Sequence, residues 1–98
     1  MEADIKLNHL IIKGTVTLSE SNKLRTYFND LKNINEKNLE IHFINTSRIQ
    51  SHVLAKILIL NEELAKQKRV LILKTNNPDL YEMFSLLKLN ELVKINKI

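Results

Sequence analysis

The sequence predicts a mixed α/β domain, and three observations carry that prediction. Short segments of alternating or continuous apolar residues take turns along the chain with longer segments whose apolar residues recur at helical spacing. One glycine and one proline in 98 residues are too few breakers for a many-turned all-β sandwich. With 44% apolar and 27% charged side chains, the composition is that of a packed chain rather than a disordered one. The length suits one core, so residues 1–98 are expected to form a single domain without linker or internal repeat.

The elements follow in order. Ile5-Lys6-Leu7 and Leu10-Ile11-Ile12 read as two strands joined at Asn8-His9, an N-terminal antiparallel hairpin ending at Lys13-Gly14. Ser19 is the expected cap of a first helix, whose apolar face is Leu24, Tyr27, Phe28 and Leu31. The polar run from Lys32 to Asn38 breaks that face. Leu39-Glu40-Ile41-His42-Phe43 then alternates like a half-buried strand. A second helix is expected from Ser51 to about Gln67, because the helix-favouring stretch Asn61–Lys66 continues the face of Val53, Leu54, Ile57, Leu58, Leu60, Leu64 and Ala65. Val70-Leu71-Ile72-Leu73 is uninterrupted apolar sequence, the pattern of a strand covered on both faces, and is expected at the centre of a parallel sheet. Asn77-Pro78-Asp79 combines a cap, a first-turn proline and a first-turn acid, opening a third helix with Leu80, Met83, Phe84 and Leu87 buried. Glu91–Ile95 reads as a last strand. The expected order is β-β-α-β-α-β-α-β, a mainly parallel mixed sheet packed by three to four helices.

Composition excludes several classes of function. There is no cysteine, hence no disulfide, thiolate nucleophile or cysteine-based zinc site. The first 18 residues scatter charge among apolar residues, unlike a signal peptide. The longest apolar run of the second helix, Ile57–Leu60, is far short of the roughly 20 residues that cross a bilayer. A cytoplasmic protein without membrane insertion is expected; its richness in Lys, Asn and Ile is of the kind that AT-rich bacterial genomes encode. The net charge of +4 is dispersed. Its one tight cluster, Lys66-Gln67-Lys68-Arg69, falls where a helix should end and cations favour the dipole, and no aromatic residue is interleaved to stack on bases. A small nucleic-acid-binding domain using Lys66, Lys68 and Arg69 is the third reading of function.

Catalytic patterns are missing. His9, His42 and His52 lie on different segments with no i,i+4 spacing, and the adjacent Glu62 and Glu63 face different sides of a helix, so no metal site is expected. Ser51 and His52 are neighbours that cannot face each other on a helix, and no glycine-rich elbow surrounds the serine. With Gly14 the only glycine, no phosphate-cradling loop exists. Neither an enzyme nor a cofactor is expected. The informative stretch is instead Arg48–Ala55, where a strand-to-helix connection places the Ser51 hydroxyl at the start of a strongly apolar helix. A serine there is a helix cap, a switch, or both. Thr46 and Ser47, just upstream, are turn hydroxyls.

The element order and several local sequences resemble the STAS family, whose best-known members are bacterial anti-sigma factor antagonists. Lys13-Gly14-Thr15-Val16-Thr17-Leu18 is similar to the family's early strand-glycine turn, Leu39–Asn45 to the strand leading to its switch site, and Leu86–Leu92 to its helix-to-last-strand ending. The family's switch segment reads aspartate-serine-small residue-glycine-leucine, matched here by Gln50, Ser51, His52, Val53 and Leu54. The resemblance implies a non-catalytic regulator of transcription that binds an anti-sigma factor or serine kinase and is phosphorylated at Ser51. It further implies a partner surface of Arg48, Gln50, Ser51, His52 and Gly14. The chain departs from the pattern in two places. Gln50 removes a negative charge beside the hydroxyl, and Val53 removes the space that a glycine leaves for a partner. The family also supplies small subunits of ABC-type phospholipid transport systems, which bind the ATPase and need no phosphorylation; this is the second reading.

Overall fold

In the computed structural model, which describes residues 1–98, the chain runs β1 (Glu2–Lys6), β2 (His9–Lys13), α1 (Ser21–Lys32), β3 (Asn38–Ile44), α2 (Ser51–Lys66), β4 (Val70–Thr75), α3 (Pro78–Leu86) and β5 (Lys94–Lys97). The five strands form one sheet in the order β1-β2-β3-β4-β5, antiparallel between β1 and β2 and parallel thereafter. Each helix connects neighbouring parallel strands. Crossovers of one hand that always step the same way along a sheet place every helix on the same face. The packing shows that outcome: Leu10 and Ile12 of β2, Leu39, Ile41 and Phe43 of β3, and Leu71 and Leu73 of β4 join the buried residues of all three helices in one core. Phe43 and Phe84 meet at its centre, ring centroids 6.1 Å apart and planes tilted by 59°.

Strand alternation fixes what the other face carries. The register places Asp4, Lys6, His9, Ile11, Glu40, His42, Ile72 and Lys74 there, and no helix residue of the core packs against them.

The α/β class, the element order, the N-terminal hairpin and the three helices are as the sequence predicts. Several details differ. The hairpin turn is Leu7-Asn8 rather than Asn8-His9, with Lys6 paired to His9 and Leu7 at φ +55°. Pairing thereby extends to five residues on each strand. Ser19 is not the first cap: Thr17 precedes a 3-10 turn over Leu18–Glu20 that leads into α1. The Thr17 amide and hydroxyl both donate to Glu20 Oε1, at 2.9 and 3.0 Å. β3 rather than β4 is the central strand. The apolar run of β4 was misleading because Ile72 is buried on the helix-free face, between its ladder partners Glu40 and Lys94. Leu87 lies just beyond α3 and is 50% exposed, and Leu89 of a following 3-10 turn takes the core position instead. That turn, Leu89–Glu91, also delays the last strand from Glu91 to Lys94. No helix is long and apolar enough to cross a membrane.

Candidate functional site

The carboxyl ends of parallel strands are where an open α/β sheet presents its loops, and three loops meet there. After β2 the backbone reverses at Gly14, whose φ of +79° suits a residue without Cβ. The Gly14 amide donates to the Ile44 carbonyl at 3.2 Å. In return, the buried Thr46 hydroxyl donates to the Gly14 carbonyl at 2.9 Å and to the Ile44 carbonyl at 3.2 Å. From the other side Asn76 accepts the Asn45 amide at 3.0 Å, with Asn45 at φ +54°. Asn is one of the few residues that take this left-handed conformation readily. The loop from Asn45 to Gln50 is thus held at both flanks, and buried Ile49 plugs it into the core.

That held loop delivers Ser51. Gln50 is extended (φ −81°, ψ 162°) and occupies the cap position, its carbonyl accepting from the amides of Val53 and Leu54 at 3.0 and 3.1 Å. Ser51 is therefore the first residue inside α2, and its hydroxyl is not the helix cap that the sequence suggested. It is exposed. Val53 behind it is fully buried, so the position where the resembling family carries glycine belongs here to the core. Thr46 acts as the turn hydroxyl expected of it.

The remaining predicted surface residues take different flanks of Ser51. Arg48 and Gln50 are exposed. Arg48 lines a depression with Ser47, Ile49 and, from α3, Asp79 and Met83. His52 is half-buried on the opposite flank, where both its ring nitrogens are shielded and lack a hydrogen-bond partner. It lines a groove of about 440 Å³ between α1 and α2 with Arg25, Phe28, Lys56, Ile59 and Leu60. The groove is bounded by a 2.7 Å ion pair from Lys32 to Glu63 and by Lys56 Nζ donating to Ser21 Oγ at 2.6 Å. Gly14 reaches this surface indirectly, through Thr46. Of the apolar residues at the start of α2, Val53 and Ile57 are buried and Leu54 and Leu58 half-buried; Ile59 is the large apolar side chain that α2 exposes.

The basic cluster after α2 has a structural role. The Arg69 guanidinium donates to the carbonyls of Lys32, Ile34 and Glu36, closing the end of α1 that lacks intrahelical partners. Lys66 lies 3.8 Å from Glu62. Of the three cations offered for nucleic acid, Arg69 is engaged with the backbone, Lys66 is exposed beside Glu62 and Lys68 has no ion-pair partner.

A second cluster, which helical spacing rules could not reveal, lies on the helix-free face. Glu40 and His42 are two apart on β3, and the parallel register sets His9 of β2 opposite Glu40. His42 Nε2 lies 2.7 Å from Glu40 Oε1, Lys74 Nζ 2.9 Å from the same oxygen, and His9 Nε2 3.6 Å from Oε2. The two imidazoles stack with centroids 4.7 Å apart. Burial of Glu40 opposes its ionisation, but the hydrogen bonds from His42 and Lys74 and the charges of His9 and Lys74 outweigh it, so its carboxyl titrates below the ordinary range.

No protein-family model and no curated protein matches the sequence. The structure does find neighbours. A crystal structure of a candidate anti-sigma factor antagonist from Thermotoga maritima superimposes with a TM-score of 0.71 at 17% identity, over 99% of this chain and 85% of that one. An NMR structure of the same protein gives 0.68 at 19% identity, over 97% and 78%. Agreement over nearly the whole length is agreement of architecture. The chain has the STAS fold of that candidate anti-sigma factor antagonist.

Proposed function

We propose that the protein is a cytoplasmic, non-catalytic STAS-type regulator that binds an anti-sigma factor with serine kinase activity. Binding uses the edge formed by Arg48, Gln50, Ser51 and His52, and phosphorylation of Ser51 releases the partner. One observation carries the reading: in a domain sharing the fold of a candidate anti-sigma factor antagonist, Ser51 stands exposed at the first position of α2 on a loop held at both flanks. A phosphate there adds roughly 1.5 to 2 negative charges to the surface. The free amides and dipole of the helix start favour an anion, so the domain keeps its fold while the contact surface changes sign. Gln50 leaves the unmodified hydroxyl without an adjacent acid, which sharpens the electrostatic contrast between the two states.

The buried Val53 and the uncharged Gln50 also suit the second reading, a subunit bound to an ABC-type ATPase without phosphorylation. Affinity capture from native cells with the unmodified chain and with Ser51→Asp separates them. The antagonist reading expects a serine kinase of the anti-sigma type on the wild type and its loss on Ser51→Asp. Equal recovery of an ABC ATPase on both would establish the adaptor, and recovery of no protein partner by either would sink both.

A further inference from the structure

We propose that His9, Glu40 and His42 form a site for one divalent transition-metal ion of the zinc class on the helix-free face of the sheet. The ligand atoms available from the three residues all lie within 4.8 Å of one another. A tetrahedral ion with bonds of roughly 2.1 Å holds its ligands about 3.4 Å apart. The 3.6 Å between His9 Nε2 and Glu40 Oε2 is already close to that edge. The 2.7 Å between His42 Nε2 and Glu40 Oε1 is a hydrogen bond that breaks when the ion replaces its proton, so that both imidazoles meet the ion beside Glu40 Oε2, the oxygen that Lys74 leaves free. His42 then carries its proton on Nδ1 and ligates through Nε2, so the exchange is one of tautomers and the imidazole stays neutral.

The supporting structure is of the kind metal ligands need. All three residues sit on paired strands rather than loops: Glu40 and His42 share a face because they are two apart on β3, and His9 is fixed opposite Glu40 by the β2–β3 register. Their side chains are restrained by partial burial, 31%, 14% and 16% exposed for His9, Glu40 and His42. Lys74 bonds one carboxylate oxygen at 2.9 Å and so orients the other toward His9, as outer-sphere partners do for ligating carboxylates. With neutral imidazoles, the Glu40 and Lys74 charges cancel, so the site receives the ion's full charge. This favours moderate affinity over an irreversible structural centre. Two nitrogens and one oxygen select zinc, cobalt, nickel or copper over magnesium or calcium. No core helix covers this face, which leaves the fourth position to water or to a donor from outside.

The chain has three histidines, and His52 on α2 serves as an internal control. Titration of the full chain with zinc by calorimetry is expected to saturate at one ion per chain at micromolar zinc. Loss of an outer-sphere partner alone costs roughly 10–100-fold in affinity, so His9→Gln and His42→Gln are each expected to weaken binding by at least about tenfold, with His52→Gln unchanged. Cobalt added to the wild type is expected to shift the ring resonances of His9 and His42 and to spare those of His52, a readout that needs no variant to fold. Absence of one-site binding, equal affinity in His42→Gln, or a cobalt effect centred on His52 would each overturn the assignment.

Discussion

The Thr46 hydroxyl and the Gly14 carbonyl meet at 2.9 Å inside the domain, and this bond joins the turn after β2 to the loop that delivers Ser51. The pair sets where α2 begins, because the loop has only Ser47 to Gln50 between that anchor and the helix. Thr46→Val keeps the shape and removes the donor. It is expected to cost about 1–2 kcal/mol, since the Gly14 carbonyl is left without its partner. Urea unfolding checks the cost. The same variant should weaken partner capture while leaving Ser51 chemically intact.

Ser51 lies inside the helix rather than at its cap, and its substitution should therefore be nearly silent in stability. Ser51→Ala is expected within about 0.5 kcal/mol of the wild type, and Ser51→Asp equal or up to about 1 kcal/mol more stable through the dipole. Thermal and urea unfolding measure both. A loss of about 1 kcal/mol or more in Ser51→Ala is the signature of a cap and would contradict the geometry.

The acid limb of the stability profile should report Glu20. The Thr17 amide, then the N-terminal ammonium and the Thr17 hydroxyl, lower its pKa from 4.5 to about 2. A carboxyl held low in the folded state contributes stability that is fully present above pH 4.5 and disappears as the pH falls toward 2. Glu20→Gln should flatten the profile in that window and leave the slope above it unchanged, as followed by urea midpoints between pH 2 and 6. Glu40, also held low, loses its contribution in the same direction.

Most of the architecture was legible because its signals are local. The 3.6 period of α1, the alternation of Leu39–Phe43 and the Asn77-Pro78 start each depend on a few adjacent residues. Asn77 does cap α3, its side chain accepting from Asp79 and Leu80 at 2.9 and 3.2 Å. The misplacements share a cause. Ile72 made β4 look central because burial on a helix-free face depends on the neighbouring strands, which a single segment does not encode. Ser51 looked like a cap because a hydroxyl before an apolar helix usually is one, whereas here the extended Gln50 takes that position. The His9-Glu40-His42 cluster needed the β2–β3 register, information of long range. Glu40 and His42 two apart on one strand were its only local trace.

A left-handed lysine offers a test of the helix end. Lys68, at φ +58°, follows α2 with its amide donating to Ala65 and that of Arg69 to Leu64, at 3.0 and 2.9 Å. This is the Schellman arrangement, in which glycine is the usual occupant. A side chain in this conformation costs roughly 1–2 kcal/mol, and glycine gives back part of that gain through its freer unfolded chain. Lys68→Gly is expected to stabilise the domain by about 0.5–1 kcal/mol in urea unfolding, whereas Lys68→Val is expected to destabilise it.

The regulatory account turns on whether Ser51 is modified in the cell. Intact-mass and site-mapping mass spectrometry of the chain from its native cells, alongside Ser51→Ala, tests this most directly. The account predicts a population heavier by one phosphate that maps to Ser51 and vanishes in the variant. Its absence across growth conditions, or its mapping to Thr46, Ser47 or another hydroxyl, would contradict the account.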